Sequence, residues 1–188
     1  MKVQKFPDNC KKVKVRIVGT RPLLLNSPQS LEQKDNTKKR TVQPSIEAQA
    51  ESCLYKDSDG NIVFPSLNVL SSMRESGVDY LVPGKGKKTY KHFIYSGVQI
   101  SPYEIPIIFE KPYSIDLRSV VIGKARVVRA RPKYDKWALE FEIENLNPSV
   151  LTFENIREIL ENAGLFKGLG DFRPLFGLFE VESMIPIE

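Results

Sequence analysis

Four glycines, Gly164, Gly168, Gly170 and Gly177, fall within fourteen residues of this 188-residue chain, and Lys167 and Arg173 lie between them. Glycine admits positive φ and lets a backbone come close to a partner. A basic loop of this kind presents N–H groups and an arginine to phosphate. For Arg173, between Phe172 and Pro174, a second reading is open: a structural arginine that pins the loop to the domain. Another glycine-bearing loop, Pro83 to Lys91, holds Lys85, Lys87, Lys88 and Lys91 and no acid. Its spacing is not that of a P-loop, and phosphate contact and plain solvation both remain open. A third group joins Arg129, Arg131, Lys133, Tyr134, Lys136 and Trp137. Arg and Lys neutralise phosphate, and an aromatic ring stacks an unpaired base. The phase of Trp137 places it in the core, which leaves Tyr134, read as a turn residue, as the stacking candidate. Lys38, Lys39 and Arg40 form one further basic cluster.

Catalytic chemistry is thinly represented. His92 is the one histidine, beside Tyr90 and Lys91. That neighbourhood suits a general base, although a lone histidine at a loop-to-strand junction also serves structure or simply faces solvent. Glu140, Glu142 and Glu144 share one strand face. They read as a solvated face, because a metal site wants ligands converging from several elements. Two cysteines and one histidine do not furnish a zinc site. No nucleophile elbow or Walker motif is present. We expect no catalytic residue, no metal and no cofactor.

The net charge of +5 is unevenly spread. Residues 1–45 carry eleven Lys/Arg and three Asp/Glu, so the remainder is net acidic. Such asymmetry points to an anionic partner, most often nucleic acid, with a solvated basic tail as the alternative. No run of eighteen apolar residues occurs, so no membrane span is expected. The lysines near the N-terminus precede no apolar segment, so no secretory signal is expected. Cys10 and Cys53 are too few for a disulfide framework, and a reduced, cytoplasmic setting is the default.

These residues need elements to hold them. Val13, Val15 and Ile17 alternate with Lys14 and Arg16, which predicts a strand over Lys12–Gly19. The stretch from Pro22 to Pro44 reads as a long loop. Ser45 caps a short helix from Ile46 to about Leu54. Asp57-Ser58-Asp59-Gly60 supplies a hairpin turn between Tyr55 and Pro65. A helix follows over Ser66–Ser76, with Leu67, Leu70 and Met73 at helical spacing and Gly77 as its stop. Phe93–Ile100 reads as a strand, Ile105–Phe109 as an edge piece, and Ser114–Ile122 as a strand. Lys124–Arg131 and Trp137–Glu144 read as a hairpin whose first arm needs a bulge. Thr152 caps a last helix with Phe153, Ile156, Ile159, Leu160 and Ala163 on its buried face and Gly164 as its stop. A final strand is expected over Gly177–Met184.

The strongest elements run β-α-β-β-α-β, an α+β, ferredoxin-like (RRM-like) order. The expected arrangement is one domain over 1–188, with insertions at 20–65 and 78–122 and a C-terminal glycine-rich loop. With Gly164, Gly168, Gly170 and Gly177, and Lys167 and Arg173 among them, the chain resembles the RAMP superfamily of CRISPR-associated RNA-binding proteins. The glycine cluster is longer here than in that pattern, and it contains Asp171. A viral or mobile-element relative of the same fold fits equally. The resemblance implies RNA binding through the glycine-rich loop and a basic surface over the sheet, aided in filament-forming members by a thumb-like hairpin. The resulting expectation is a non-catalytic protein that binds single-stranded RNA or DNA, as a homo-oligomer or a ribonucleoprotein subunit. Two alternatives stand beside it: a protein-interaction module, such as a phage factor docked on a host complex, and a metal-independent endoribonuclease using His92.

Overall fold

A computed structural model describes residues 6–7, 10–28, 45–123 and 125–187. Within them the order is β1 (Lys12–Gly19), β2 (Leu23–Leu24), α1 (Ile46–Ser52), β3 (Val63–Pro65), α2 (Ser66–Ser76), α3 (Lys91–Gly97), β4 (Val98–Ser101), β5 (Glu104–Phe109), β6 (Ser114–Ile122), β7 (Ala125–Tyr134), β8 (Trp137–Asn145), α4 (Phe153–Asn162), one π-helical turn (Ala163–Lys167) and β9 (Phe179–Ile187). The chain is α+β with antiparallel sheets.

The alternation in β1 does what strand geometry requires. Val13, Val15 and Ile17 are fully buried, and the opposite face carries Lys12, Lys14 and Arg16. β1 lies between β8 and β9, antiparallel to both, with Val15 opposite Phe141 on one side and Met184 on the other. On β8, Trp137, Leu139, Phe141 and Ile143 complete the buried layer. The other edge of β8 is taken by β4 and β5, end to end. Between these two contacts the chain swings out, and Glu104–Pro106 pair with β3. The strand order is β3-β5-β8-β1-β9, with β4 beside β5 on β8.

Two helices are locked together by buried serines. Ser76 Oγ donates to the Ile159 carbonyl of α4 at 2.8 Å, and Asn162 Nδ2 donates to Ser76 Oγ at 2.8 Å. Ser72 Oγ donates to the Gly168 carbonyl at 2.9 Å. A buried hydroxyl without a partner is costly, so these bonds fix how α2 sits on α4 and on the loop that follows it. Thr152 and Asn155 form a reciprocal capping box on α4, and the expected apolar face of that helix is buried. On α2 the buried apolar residues are Val69, Leu70 and Met73, whereas Leu67 is exposed.

A second, three-stranded sheet runs β2-β7-β6. Its β6–β7 hairpin keeps an unbroken register from Ser114↔Lys133 to Ile122↔Ala125. The expected bulge in 124–131 is therefore absent from the described pairing. So is the expected hairpin between that arm and Trp137–Glu144: β7 pairs with β6 and β2, and β8 pairs in the other sheet. The chain changes sheet at Asp135-Lys136 because Tyr134 and Trp137 are both buried, one on each side of the step. The place expected for 124–131 in the main sheet is held by β4 and β5.

Three more expectations change. Of Phe93–Ile100 only Val98–Ile100 is strand; the first part belongs to α3, whose Ile94 is buried. Ile105–Phe109 is not an edge, since β5 is flanked by β3 and β8. Gly164 does not stop α4. The helix continues through it as the π turn, and a Cβ there would collide with the Phe179 carbonyl. The Asp-Gly turn is present: Asp57 Oδ1 accepts from the N–H groups of Asp59 and Asn61 at 2.9 and 2.8 Å, and Gly60 has φ +85°. No helix among the described residues is long and apolar enough to cross a membrane.

Candidate functional site

The glycine-rich loop leaves the π turn at Gly168, with φ +73°, and returns to β9 through Gly177, also at +73°. Its backbone is knitted to itself and to the segment around β2. Leu169 N–H donates to the Gly177 carbonyl at 2.9 Å, Asp171 N–H to Leu24 at 2.9 Å and Gly177 N–H to Pro22 at 2.8 Å. Gly168 N–H donates to Ala163 at 2.8 Å and Phe176 N–H to Phe172 at 3.2 Å. A Cβ on Gly170 would collide with the Leu24 carbonyl, and one on Gly177 with the Leu169 carbonyl. The glycines thus answer to close packing, and five of the loop's N–H groups serve internal acceptors rather than facing outward.

The cations expected at this loop have carboxylate partners in the fold. Lys167 Nζ lies 2.9 Å from Asp79 Oδ2, and its hydrogen bond is the main reason the Asp79 carboxyl is held below its ordinary value. Arg173 pairs with Glu75 at 3.2 Å and reaches the Gly168 carbonyl at 3.5 Å. Lys133 pairs with Asp135 at 3.0 Å. Arg131 Nε lies 2.6 Å from Asp171 Oδ2, and its guanidinium stacks 4.9 Å from the Phe172 ring centroid. This is an ion pair off the line of a hydrogen bond, since Asp171 Oδ2 and Arg131 Nη1 are both buried without a hydrogen-bond partner. Arg118 adds to the stack, 4.6 Å from the Phe176 centroid.

Burial separates these pairs. The pairs of Lys167 and Arg173 are partly exposed, worth about 0–1 kcal/mol each. Arg131 is only 8% exposed, and breaking a buried pair costs roughly 3–5 kcal/mol. Arg131 is a structural residue here.

Tyr134 must also be reassigned. It is 1% exposed, not a turn residue open to stacking. Its ring packs against Phe109 and Tyr113, with centroids 5.2 and 6.1 Å away. Burial pushes its phenol up to about 12, and the hydroxyl has no hydrogen-bond partner among the described residues. Trp137 is core, as its phase required, and donates from Nε1 to the Arg21 carbonyl at 2.9 Å.

The cations of β1 on the main sheet are paired as well. Lys12 pairs with Glu144 at 3.4 Å and Lys14 with Glu140 at 3.4 Å, while Arg16 reaches both Glu140 and Glu182. Of the β8 carboxylates read as a wet face, Glu140 and Glu144 are paired with cations of β1. The Arg16 hydrogen bond is the first cause holding Glu140 below its ordinary value.

The 83–91 loop is the opposite case. A bridge between Leu81 and Thr89 closes it, and Val82 N–H donates to the Lys88 carbonyl at 2.9 Å. Val82 is buried as its anchor, while Lys85, Lys87, Lys88 and the adjoining Lys91 are exposed. None of these four forms an ion pair among the described residues. Beside them, Lys85 Nζ sits 5.4 Å from the Phe93 ring centroid, and the Tyr95 ring, 57% exposed, lies 5.2 Å from Arg74. On the β6–β7 hairpin, Arg126 is exposed and Arg129 half-buried, and neither is ion-paired among the described residues. Lys38, Lys39 and Arg40 lie outside the described residues.

The residues around His92 do not converge. Tyr90 is buried, with its hydroxyl 3.1 Å from Asn155 Oδ1, whereas His92 is exposed on α3. No group of three or more His, Cys, Asp or Glu side chains that could hold a metal occurs among the described residues.

Two concavities flank residues 170–173. One, of about 190 Å³, is lined by Asn26, Tyr55, Asn68, Ser71, Asp171 and Arg173. The other is an open groove of about 470 Å³ with Phe166, Lys167, Phe172, Arg173 and Pro174 among its walls. Asn26, Asn68 and Ser71 carried no signal in the sequence, because single polar residues on separate elements have no pattern of spacing. No family model matches this chain, and no curated protein matches it.

Proposed function

We propose that the protein binds single-stranded nucleic acid, RNA in preference to DNA, without acting on it chemically. The observation that carries this reading is the set of four exposed lysines, Lys85, Lys87, Lys88 and Lys91, without an ion pair among the described residues, next to Phe93 and the exposed Tyr95. Unpaired ammonium groups release counterions from a phosphate backbone, and adjacent rings stack bases without regard to their identity. Arg126 and Arg129 extend the unpaired charge along the hairpin. Lys167 and Arg173 join by exchanging their carboxylates for phosphate.

The same proposal includes a ferredoxin-like core of the RAMP type. In its favour, the order β9-β1-β8-β4/β5 is antiparallel, α2 lies between β1 and β4 in the chain, and α4 lies between β8 and β9. On this reading β6–β7 is the inserted thumb-like hairpin. Role in a ribonucleoprotein or homo-oligomer, and a cytoplasmic location suited to the free thiols of Cys10 and Cys53, belong to the proposal as well. A protein-docking role is the second reading. It is favoured by Leu165, Phe166 and Leu175, which are 61, 62 and 66% exposed.

Fluorescence anisotropy with labelled single-stranded RNA and DNA over a salt series tests the proposal. The expected result is binding that weakens with salt, RNA tighter than DNA. Replacing Lys85, Lys87 and Lys88 by Ala reduces the magnitude of the salt slope by about 2, at ~0.7 per phosphate contact on a single strand. Absence of binding to either polymer at low salt overturns it, and retention of a protein partner at high salt would favour the docking role.

A further inference from the structure

The 190 Å³ pocket differs in chemistry from the basic surfaces around it. Its two charged walls are already paired: Asp171 with Arg131 at 2.6 Å and Arg173 with Glu75 at 3.2 Å. What remains to meet a ligand is neutral and hydrogen-bonding, namely the Asn68 amide, the Ser71 hydroxyl and the Asn26 Nδ2 donors, since Asn26 Oδ1 already accepts from Cys53 Sγ at 3.7 Å. Tyr55 O–H donates to the Asn26 carbonyl at 3.2 Å. Burial, the largest cause, pushes that phenol up, so it keeps the proton that holds the Asn26 backbone in place. Among the described lining residues a free phosphate or carboxylate would find no unpaired cation. The volume is also below the ~300 Å³ at which pockets for drug-sized ligands begin. The fitting ligand is small and uncharged, with donors and acceptors to meet the amides and the hydroxyl.

The open groove of 470 Å³ shares Gly170, Asp171 and Arg173 with this pocket. It adds Lys167 and the exposed ring of Phe166. A groove with a cation and an aromatic wall suits the sugar-phosphate and a stacked base, and the shared wall puts the neutral pocket one short step away.

We propose that the pocket lined by Asn26, Asn68 and Ser71 receives one nucleobase of the bound strand and reads its hydrogen-bonding edge. This rests on the nucleic-acid reading and adds to it a preference at one position, since phosphate contacts carry no sequence information. The Asn68 amide offers a donor and an acceptor side by side, the complement of a base edge, and Asn26 adds Nδ2 donors beside its thiol-bonded Oδ1.

The test uses anisotropy with short RNA homopolymers of A, C and U, for the wild type, the Asn26→Ala/Asn68→Ala double variant and Ser71→Ala. The wild type is expected to favour one homopolymer by about tenfold, the lower end of what one bidentate amide–base contact discriminates. In the double variant the preference falls to about twofold or less with the salt slope unchanged, and Ser71→Ala gives an intermediate value. Ser71→Ala also decides the matter if the double variant fails to fold by circular dichroism. Equal binding of all three homopolymers by the wild type, or a preference that survives the substitutions, overturns the pocket proposal and leaves the nucleic-acid reading standing. No binding by the wild type overturns both.

Discussion

The two glycine-bearing basic loops look alike in sequence and differ in the folded chain. Residues 164–177 and 83–91 both mix glycine with Lys or Arg, and both contain glycines at φ near +70°. In the first, glycines are packed against other backbone, Lys167 and Arg173 meet Asp79 and Glu75, and the loop's own Asp171 holds Arg131. In the second, Gly84 and Gly86 have open space around them, and the lysines form no ion pair among the described residues. Positive charge in a sequence therefore becomes available charge only where the fold brings no carboxylate to it. The loop with the more arresting motif is the better neutralised one.

The largest effect that would break this comparison is at the glycines. Gly177→Ala and Gly84→Ala impose the same positive-φ strain, at +73° and +71°. Only Gly177→Ala also drives a Cβ into the Leu169 carbonyl. Thermal unfolding should show a loss of about 1 kcal/mol for Gly84→Ala and at least about 3 kcal/mol for Gly177→Ala, or no folded protein. Equal losses would mean the packing argument is wrong.

The buried pair comes next. Arg131→Ala strips Asp171 of its partner and should cost about 3 kcal/mol in denaturant unfolding. Lys167→Ala, which breaks a partly exposed pair, should cost less than about 1 kcal/mol. If the two are equal, Arg131 is not the structural residue its burial implies.

A smaller effect follows from acid. The carboxyl of Asp79 is held low, mainly by the Lys167 hydrogen bond. A depressed carboxylate contributes stability that is present above its unfolded value, about pH 4, and is lost as pH falls through the folded value. Lys167→Met should abolish that small acid-dependent part, and carbon-detected titration should return Asp79 to the ordinary range. In the 83–91 loop, the lysine-to-alanine variants should leave the acid limb of stability unchanged.

The smallest effect sharpens the reassignment of Tyr134. Its phenol, pushed up to about 12, is protonated where an unfolded tyrosine ionises. Stability tied to that neutral form is present below about pH 10 and lost as pH rises toward 12. Because the hydroxyl has no partner, Tyr134→Phe should be neutral or slightly stabilising at pH 7 and should remove this alkaline loss, read by unfolding at pH 7 and pH 10.5. A clear loss at pH 7 would reveal a hydrogen bond the hydroxyl depends on.

Where local chemistry decides, the sequence determined the outcome. Period-two alternation placed Val13, Val15, Ile17 and the apolar face of β8 in the core, because a pleated strand sends successive side chains to opposite faces. Thr152 capped α4 and Asp57 closed its turn through bonds to neighbours a few residues away. Tertiary structure decided everything that depends on distant partners. It sent β7 and β8 into different sheets although only two residues separate them. It made 91–97 a helix by burying Ile94. It buried Tyr134, and it set Glu75 beside Arg173 across ninety-eight residues of chain. It also gathered Asn26, Asn68 and Ser71 around one pocket. Spacing along a chain encodes contacts within a turn or a strand, and an ion pair or a pocket wall assembled from separate elements has no such spacing to read.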